Sequence, residues 1–457
     1  MRKNQHAIGY LPDEQPPFWK LILYAIQQVI VMFPATITVA LITGFHVSTT
    51  IFASGFATLC FILVTRGKIP LYYGSSFSYI SAIGGLMASD ALLGMSLNDK
   101  IAIVQFGIVM SGLVSIAAGI IVKKLGRNVI EKLLPATITG PIAMVIGLTL
   151  AGNALSDAAA APAVSDSQLP LAANLAWVIS LATLLATILF SVYLKGILSQ
   201  LPLLLGPIVG VIVAFIIKQT TDIDFFRVLS EHADSGIFAL PIFTLPKPTW
   251  ISVAAIMPIA IATIPESTAH VYQLDIYVNE LAKRKGSTKQ YDIADRLGDN
   301  LIGDGIGDMV AGAIGGPAGT NYGENISAMA ITRVFSVPVL IAAAVLAMII
   351  SFFTPLINAI YSIPVAVIGG LEIYLFGAIA AQGIAIMIDK KVDMFSSKNI
   401  AVIATIMIIG LGGQYAFKGS IPFFGIDVPC IAGAAIFGIL LNLLLNIGDK
   451  EKEQPEN

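Results

Sequence analysis

Charged residues are scarce in this sequence: only 12% of its 457 residues are Asp, Glu, Lys or Arg, whereas ordinary soluble domains contain about 25%. None of these residues occurs between Lys20 and Arg66, and similar charge-free runs recur along the chain. Since one membrane-spanning helix needs about 20 apolar residues, the longest runs hold two spans each. The composition therefore excludes an ordinary soluble protein and predicts an all-α polytopic membrane protein.

Cysteine is nearly absent as well. Only Cys60 and Cys430 are present, both among apolar residues, so neither a disulfide framework nor a thiolate metal site is indicated. The sequence also lacks metal-ligand clusters, nucleophile and base pairs and phosphate-binding loops, and its net charge is only -2 with no basic patch. We therefore expect no enzyme activity, no cofactor, no metal and no nucleic-acid partner.

The charge-free runs predict fourteen membrane-spanning segments with both termini in the cytoplasm. Cytoplasmic loops collect Lys and Arg near the ends of spans, and alternate loops here hold all of these residues except Lys100, Lys218, Arg227, Lys247 and Lys418. This pattern predicts a multi-pass protein of the plasma or inner membrane. The predicted segments are 20–43, 49–65, 73–93, 101–122, 133–153, 172–194, 199–217, 250–272, 297–312, 318–331, 335–354, 360–388, 399–416 and 428–447.

Two weak internal repeats share one offset. The stretch Tyr73–Ser78 is similar to Tyr322–Ser327, and Pro141–Gly147 is similar to Pro364–Gly370. These pairs fall in segments 3 and 10 and in segments 5 and 12, so the second copy begins seven segments after the first. Because seven is odd, the second copy is inverted in the membrane, as in many transporters. The sequence therefore predicts two inverted repeats of seven segments.

Segments 3 and 10 contain residues that interrupt helices. Gly67, Pro70 and Gly74 precede the helical part of segment 3, and a similar glycine- and proline-rich stretch at 315–323 precedes that of segment 10. We therefore expect each segment to start extended and to become helical halfway across. Unwound backbone at that depth must be buried in protein or line a cavity. The two helix N-termini would then direct spare amide groups towards one central point.

Ionisable residues inside the membrane mark the candidate site. Glu324 lies at the break in segment 10, where a carboxylate is costly to keep and indicates function; the alternative is a solvated loop between two helices. Glu266 and His270 in segment 8 are four residues apart and share a helical face. The alternative is that His270 belongs to the cytoplasmic end and merely pairs with Glu266. In a dry pocket, a carboxylate and an imidazole can exchange a proton near physiological pH.

These residues resemble the nucleobase-ascorbate transporter family, also called nucleobase:cation symporter-2, and its bacterial uracil permease branch in particular. The resemblance covers nearly the whole chain and is carried by Gly-Ser-Ser-Phe at 74–77, Glu266 with His270, Tyr-Gly-Glu-Asn at 322–325, and Thr332-Arg333. It implies a core domain of residues 1–127 and 250–354 that holds the substrate. A gate domain of residues 128–249 and 355–448, a cytoplasmic tail at 449–457 and a possible homodimer are also implied.

The same resemblance implies a proton-coupled symporter that moves a nucleobase between the core and gate domains. Glu266 and Glu324 would accept hydrogen bonds from the ring N–H groups of uracil, and the backbone N–H groups of Phe77 and Gly323 would donate to its carbonyl oxygens. Ser76 and Tyr322 flank these groups and complete the expected substrate-binding set. His270, together with Glu266, would take part in proton coupling.

Two residues depart from the family pattern. Ser267 stands where uracil permeases usually have a second His, and Ser327 stands where the family signature has Gly. These departures leave open a purine symporter of the xanthine or urate type. An anion carrier on the same fold is a third hypothesis, although Glu266 and Glu324 would repel an anion. Glu324, rather than the Gln usual in xanthine and urate carriers, favours a pyrimidine.

Several other polar residues occur within apolar segments, and each has two interpretations. Asp304 and Asp308 either brace the broken segment 10 or join the proton path. Glu372 either makes a structural hydrogen bond or acts in substrate contact or gate movement. The remaining candidates are Gln27 and Gln28, which line a cavity or make interhelical contacts, and Ser75 and Ser76, which touch solute or cap a helix.

Overall fold

The computed structural model describes residues 9–196, 198, 201–227, 236–424 and 426–447. The predicted cytoplasmic tail at 449–457 and the first eight residues of the predicted core domain lie outside this described part. The described chain is mostly α-helical, with two short two-stranded antiparallel ribbons.

Nine helices and one strand lie in the described part of the N-terminal half. One strand, β1, interrupts the helices between α2 and α3, in predicted segment 3. In chain order the elements are α1 (Phe18–Thr43), α2 (Val47–Val64), β1 (Tyr73–Ser75), α3 (Ile80–Met87), α4 (Leu97–Leu125), α5 (Asn128–Leu133), α6 (Ala136–Thr149), α7 (Ala151–Ala158), α8 (Leu169–Tyr193) and α9 (Pro202–Thr221).

The C-terminal half follows a similar order, with β2 interrupting the helices in predicted segment 10. A second ribbon near the C-terminus precedes the last helix. The described elements are α10 (Trp250–Ile256), α11 (Ala260–Arg284), α12 (Leu297–Ile314), β2 (Gly319–Asn321), α13 (Gly323–Thr332), α14 (Val337–Ile350), α15 (Thr354–Tyr361), α16 (Val365–Asp389), α17 (Ser397–Phe417), β3 (Ser420–Phe423), β4 (Ile426–Pro429) and α18 (Cys430–Leu445).

Among the described residues, nine helical runs are long and apolar enough to cross a membrane, and three shorter apolar helices accompany them. The chain is therefore a multi-pass membrane protein. The prediction for segment 8 covers the apolar stretch 250–272, and the helix α11 continues beyond it to Arg284. The charge-free run marks only the apolar part of this helix, whereas its backbone hydrogen bonds continue through polar residues.

Small residues let the helices around the strands approach closely. A methyl group at Gly112 of α4 would overlap the carbonyl oxygen of Gly305 in α12, and one at Gly55 of α2 would overlap the carbonyl oxygen of Ala344 in α14. Such contacts allow backbones to pack tightly where lipid offers no hydrophobic driving force. Helices α1, α2, α4, α12 and α14 thus form one tightly packed group.

A second group of helices packs around α16. Helices α6, α7, α8 and α9 contact it, and α17 and α18 pack beside α6. Gly140 of α6 and Gly383 of α16 face each other so closely that a methyl group on the latter would overlap the carbonyl oxygen of the former. This second group contributes neither β1 nor β2, whereas β3 and β4 connect its helices α17 and α18.

The N-terminal segment is fastened to the first group of helices. Tyr10 N–H donates to the Arg333 carbonyl oxygen at 2.8 Å, and Phe335 N–H donates to the Tyr10 carbonyl oxygen at 2.8 Å. Lys285 has a buried ammonium that donates to the Gly9 carbonyl oxygen at 2.9 Å and to Glu14 at 2.5 Å. These bonds attach the segment to the ends of α11 and α13.

Asp13 makes this attachment sensitive to pH. Burial alone would raise the pKa of its carboxyl, but the hydrogen bonds that it accepts from Lys289 and Tyr291 lower that pKa below 3.8. A carboxyl group whose pKa is lower in the folded protein than in the unfolded chain stabilises the folded protein at pH values above the unfolded pKa. This stabilisation is lost as the pH falls through the folded pKa. We therefore expect wild type to melt at a higher temperature than Asp13→Asn near pH 7. The difference should vanish towards about pH 3, and a difference that is constant with pH would contradict this.

Candidate functional site

The two broken segments meet through their strands. β1 and β2 pair antiparallel, with Tyr73 opposite Asn321 and Ser75 opposite Gly319. Two further bonds extend the ribbon: Ser76 N–H donates to the Ala318 carbonyl oxygen at 2.9 Å, and Tyr322 N–H donates to the Tyr72 carbonyl oxygen at 3.0 Å. The predicted extended starts of segments 3 and 10 are therefore present, and their buried strands satisfy each other's backbone groups.

Reciprocal tyrosine and glycine contacts fix this ribbon. The Tyr73 ring lies where a methyl group on Gly319 would be, and the Tyr322 ring lies where one on Gly74 would be. The Tyr322 hydroxyl donates to the Ser75 carbonyl oxygen at 3.1 Å and bonds the Thr36 hydroxyl at 2.9 Å. Because its ring and hydroxyl are both engaged, the Tyr322 side chain braces the ribbon.

Asp308 of α12 supports the strands from behind. Its Oδ1 accepts hydrogen bonds from the Tyr73 hydroxyl at 2.5 Å and from the Gly319 N–H at 2.8 Å. The side chain is buried, so these two bonds hold a tyrosine of one strand and the backbone of the other. The geometry favours the bracing interpretation of this aspartate.

Replacing Asp308 should weaken the ribbon. Asp308→Asn keeps an oxygen acceptor but loses the charge, and neutral hydrogen bonds are roughly half as strong as charge-assisted ones. We expect the free energy of unfolding in detergent to fall by about 1 kcal/mol. The matched control is Asp299→Asn at the other end of α12, where a partly exposed carboxylate pairs with Lys123 at 2.6 Å and should change stability by less than about 0.5 kcal/mol. Equal effects would contradict the bracing role.

A buried polar cluster lies between α11, α12 and β2. Asp304 accepts hydrogen bonds from the Ser267 hydroxyl and from the amides of Asn300 and Asn321, the latter two at 3.3 Å. Ser267, the departure from the uracil permease pattern, is therefore tied to this aspartate. Sequence reasoning missed both asparagines; the spacing of Asn300 and Asp304, four apart on a glycine-rich apolar helix, was the available signal.

The two predicted carboxylates lie close enough to each other to interact electrostatically. Glu324 is the second residue of α13, directly after β2, and Glu266 lies on α11. Glu266 is hydrogen-bonded to the Ser78 side chain and is close enough to Glu324 for the two carboxylates to repel each other electrostatically. The solvated-loop interpretation of Glu324 is wrong, because its neighbours Tyr322 and Asn325 are buried.

His270 lies against the start of α13. Its imidazole is buried and hydrogen-bonds the backbone of Asn321, while a methyl group on Gly323 would lie 2.8 Å from its Nε2. Nδ1 has no hydrogen-bond partner among the described residues. The histidine is therefore placed beside the predicted site, with one ring nitrogen available for a proton.

The helix starts supply the predicted amide donors. Gly323 begins α13 and Phe77 begins the 3-10 turn Phe77–Tyr79 that leads into α3. The first N–H groups of a helix have no acceptor within that helix. Ser76 is buried and its hydroxyl accepts from Ser78 N–H at 3.3 Å, which favours the capping interpretation. The Phe77 ring packs edge to face on Phe376 of α16, with centroids 6.5 Å apart.

Two other polar predictions resolve differently. The Gln28 side-chain oxygen accepts from the Asn325 amide at 2.7 Å, which favours an interhelical contact. Gln27 Nε2 is buried without a partner among the described residues. Glu372 is also buried, and neither of its carboxylate oxygens has a hydrogen-bond partner in the described part of the chain. The interpretation of Glu372 as a structural hydrogen-bonding residue is therefore wrong.

Comparison with known proteins decides the family. Residues 19–419 match the model of a family described as "Permease family", and the chain is 36% identical over 440 residues to the uracil permease of Bacillus caldolyticus, covering 95% of this chain and 94% of that protein. The chain belongs to the nucleobase-ascorbate transporter family. This permease is also 33% identical to the uracil permease of Escherichia coli strain K12, with 97% of this chain and 95% of that protein covered.

Solved structures share the fold of this permease at low identity. The transmembrane domain of the cyanobacterium bicarbonate transporter BicA gives a TM-score of 0.60 at 15% identity, covering 94% of this chain and 99% of that chain. The murine Solute Carrier 26 family member A9 anion transporter in its inward-facing state gives 0.65 at 13% identity, covering 97% and 72%. At these identities the likeness concerns the fold alone.

Proposed function

We propose that this permease is a proton-coupled symporter that imports uracil. The observation that carries the proposal is the meeting of Glu266 and Glu324 beside the two helix starts at Phe77 and Gly323. Uracil presents two ring N–H donors and two carbonyl acceptors. The carboxylates accept from its N–H groups, and the free backbone N–H groups donate to its carbonyl oxygens. The names of the curated relatives support the same substrate.

This complementarity sets the selectivity of the site. A site built to hydrogen-bond each polar group of its substrate rejects an analogue that leaves one of them unpaired. A purine of the xanthine or urate type presents the same two ring N–H donors and two carbonyl acceptors on its six-membered ring as uracil does, so this hydrogen-bonding pattern alone does not reject it. An anion would be repelled by both carboxylates. The purine symporter and the anion carrier therefore remain as outcomes of the uptake experiment.

Proton coupling is assigned to Glu266 and His270. The two residues lie one turn apart on α11, with Glu266 facing the substrate position and His270 contacting the backbone of β2. A proton bound here reduces the negative charge of the carboxylate pair by one as substrate binds, so substrate and proton move together.

Alternating access is assigned to two domains. The first group of helices, with both strands, corresponds to the core domain of residues 1–127 and 250–354. The group around α16 corresponds to the gate domain of residues 128–249 and 355–448. We place the nucleobase at the boundary between them, where Phe77 meets Phe376, and the family resemblance suggests a homodimer.

Two inverted repeats of seven segments account for the packing pairs. With this offset, α4 corresponds to α14 and α2 corresponds to α12, and α4 packs on α12 as α14 packs on α2. Helices α8 and α9 correspond to α17 and α18, and the helices of each pair pack on each other. The reciprocal contacts of Tyr73 with Gly319 and of Tyr322 with Gly74 fit the same two-fold relation. Fourteen segments place both termini in the cytoplasm, in agreement with the distribution of Lys and Arg.

Uptake of radiolabelled uracil into proteoliposomes with an imposed pH gradient tests this function. We expect uracil to accumulate when the outside is acidic and the accumulation to collapse when a protonophore is added. Competition with unlabelled xanthine, thymine and cytosine defines the substrate. Uptake that ignores the proton gradient would contradict the symport mechanism, and xanthine outcompeting uracil would identify a purine carrier instead.

A further inference from the structure

Glu372 of α16 is a buried ionisable residue that the site described above does not use. It is fully buried, and neither carboxylate oxygen has a hydrogen-bond partner among the described residues. An isolated ionised carboxylate in such surroundings is very costly, so the group takes up a proton instead. Ionisable side chains within membrane segments are rare and mark proton relays and transport pathways.

Few charged groups surround Glu372. Helices α6 and α8 carry no Asp, Glu, Lys, Arg or His, and the one lysine of α9, Lys218, pairs with Asp224 at 2.7 Å. On α16 itself, the Tyr374 hydroxyl forms a hydrogen bond with the Ser191 hydroxyl of α8 at 2.5 Å. Asp157 at the end of α7 acts electrostatically on Glu372, so the carboxyl groups of Asp157 and Glu372 are neighbours.

Arg227 belongs to the same group of charges. Its Nε donates to the Ile363 carbonyl oxygen at 2.7 Å, and its guanidinium attracts the Asp157 carboxylate electrostatically. Asp157 thus lies between a cation and Glu372. Both Asp157 and Arg227 are only partly buried, so this group connects the enclosed Glu372 with the loops at that end of the helices.

The face of α16 that holds Glu372 also reaches the substrate position. Gly369, Glu372 and Phe376 are spaced three and four residues apart, which places them on one face of the helix. A methyl group on Gly369 would overlap the backbone of Asp157 and Ala158, whereas Phe376 contacts Phe77. Glu372 therefore lies between the Asp157 end and the nucleobase site, about 6 Å along the axis from Phe376.

We propose that Glu372 is a second proton-binding site of the transport cycle. The carboxylate binds one proton to give the neutral acid that burial favours in this conformation and releases that proton in another conformation, so it adds one proton to those carried with each substrate molecule. This inference rests on the proposed function, because it needs a proton-coupled cycle. It assigns proton binding to Glu372 on α16, the gate-domain helix that faces the core domain, and not to the substrate-binding residues.

The test compares Glu372→Gln with wild type in proteoliposomes. Gln keeps the size of the neutral acid but cannot exchange a proton. We expect the Kd for uracil to stay within about twofold of wild type, and the number of protons moved per uracil, from parallel pH-electrode and radiolabel measurements, to fall by one. Losing one coupled proton lowers the maximal accumulation of uracil about tenfold at a gradient of one pH unit. Glu372→Asp, which keeps an ionisable group, should retain the wild-type ratio.

The outcomes separate this inference from the proposed function. Wild-type uptake that ignores the gradient would contradict proton symport itself. Wild-type symport with an unchanged proton ratio in Glu372→Gln would overturn only the role of Glu372, and so would a weakened Kd, because it would make the residue a substrate contact. If Glu372→Gln does not fold, Asp157→Asn removes the neighbouring negative charge and should displace the pH profile of uptake towards lower pH; an unchanged profile would overturn the inference.

Discussion

Glu324→Gln is expected to weaken uracil binding about ten- to a hundredfold. Gln retains the size of the side chain but replaces a carboxylate acceptor with a neutral amide, which offers one oxygen and two competing donors. Hydrogen bonds to charged groups contribute about 1.5–3 kcal/mol, and each 1.4 kcal/mol corresponds to about a tenfold change in Kd. The measurement is the Kd for radiolabelled uracil in purified protein, together with the melting temperature.

The control for this change is Glu280→Gln. Glu280 lies on α11, the helix that carries Glu266, but its carboxylate is exposed and pairs with Arg284 at the C-terminal end of that helix. Exposed ion pairs contribute little, so its uracil affinity should remain within about twofold of wild type. Both variants should melt close to wild type. A Glu324→Gln protein that binds and transports uracil like wild type would remove Glu324 from the site.

Gly74→Ala is expected to abolish uptake by disrupting the ribbon that holds both helix starts. The added methyl group would overlap the Tyr322 ring, and that ring cannot withdraw because its hydroxyl bonds Thr36 and the Ser75 carbonyl oxygen. Forcing an extra carbon into a packed interior costs about 1–3 kcal/mol. The measurements are thermal unfolding in detergent and uracil uptake.

Gly84→Ala provides the matched control. Gly84 lies on α3, further along the same broken segment, and a methyl group there meets no atom within 4 Å. Alanine in a helix is more favourable than glycine by about 1 kcal/mol, so this variant should melt at or above the wild-type temperature and should transport uracil. If the two alanine variants behave alike, the reciprocal tyrosine contacts do not hold the site.

The sequence was sufficient to locate the candidate site because charge is so rare in it. Glu266 and Glu324 stand out against apolar segments, and the repeated Tyr-Gly stretches identified the two breaks that now form β1 and β2. The family resemblance was likewise confirmed by the curated relatives. These features are local patterns, so they can be read without knowing which segments touch.

Contacts between distant segments could not be predicted in this way. Asn300 and Asn321 were missed because uncharged amides do not stand out, although they complete the cluster around Asp304. Tyr322 is predicted from the sequence to bind substrate, but the bond of its hydroxyl to Ser75 and the packing of its ring on Gly74 depend on how two strands pair. Glu372 was undecided for the same reason, since its lack of a hydrogen-bond partner is a property of the packed helices.

The most direct test of this account is an experimental structure of the protein with uracil bound. We expect one uracil molecule at the ends of β1 and β2, with its ring N–H groups donating to the carboxylates of Glu266 and Glu324 and its carbonyl oxygens accepting from the backbone N–H groups of Phe77 and Gly323. Uracil bound elsewhere, or bound here without contact to either carboxylate, would contradict it.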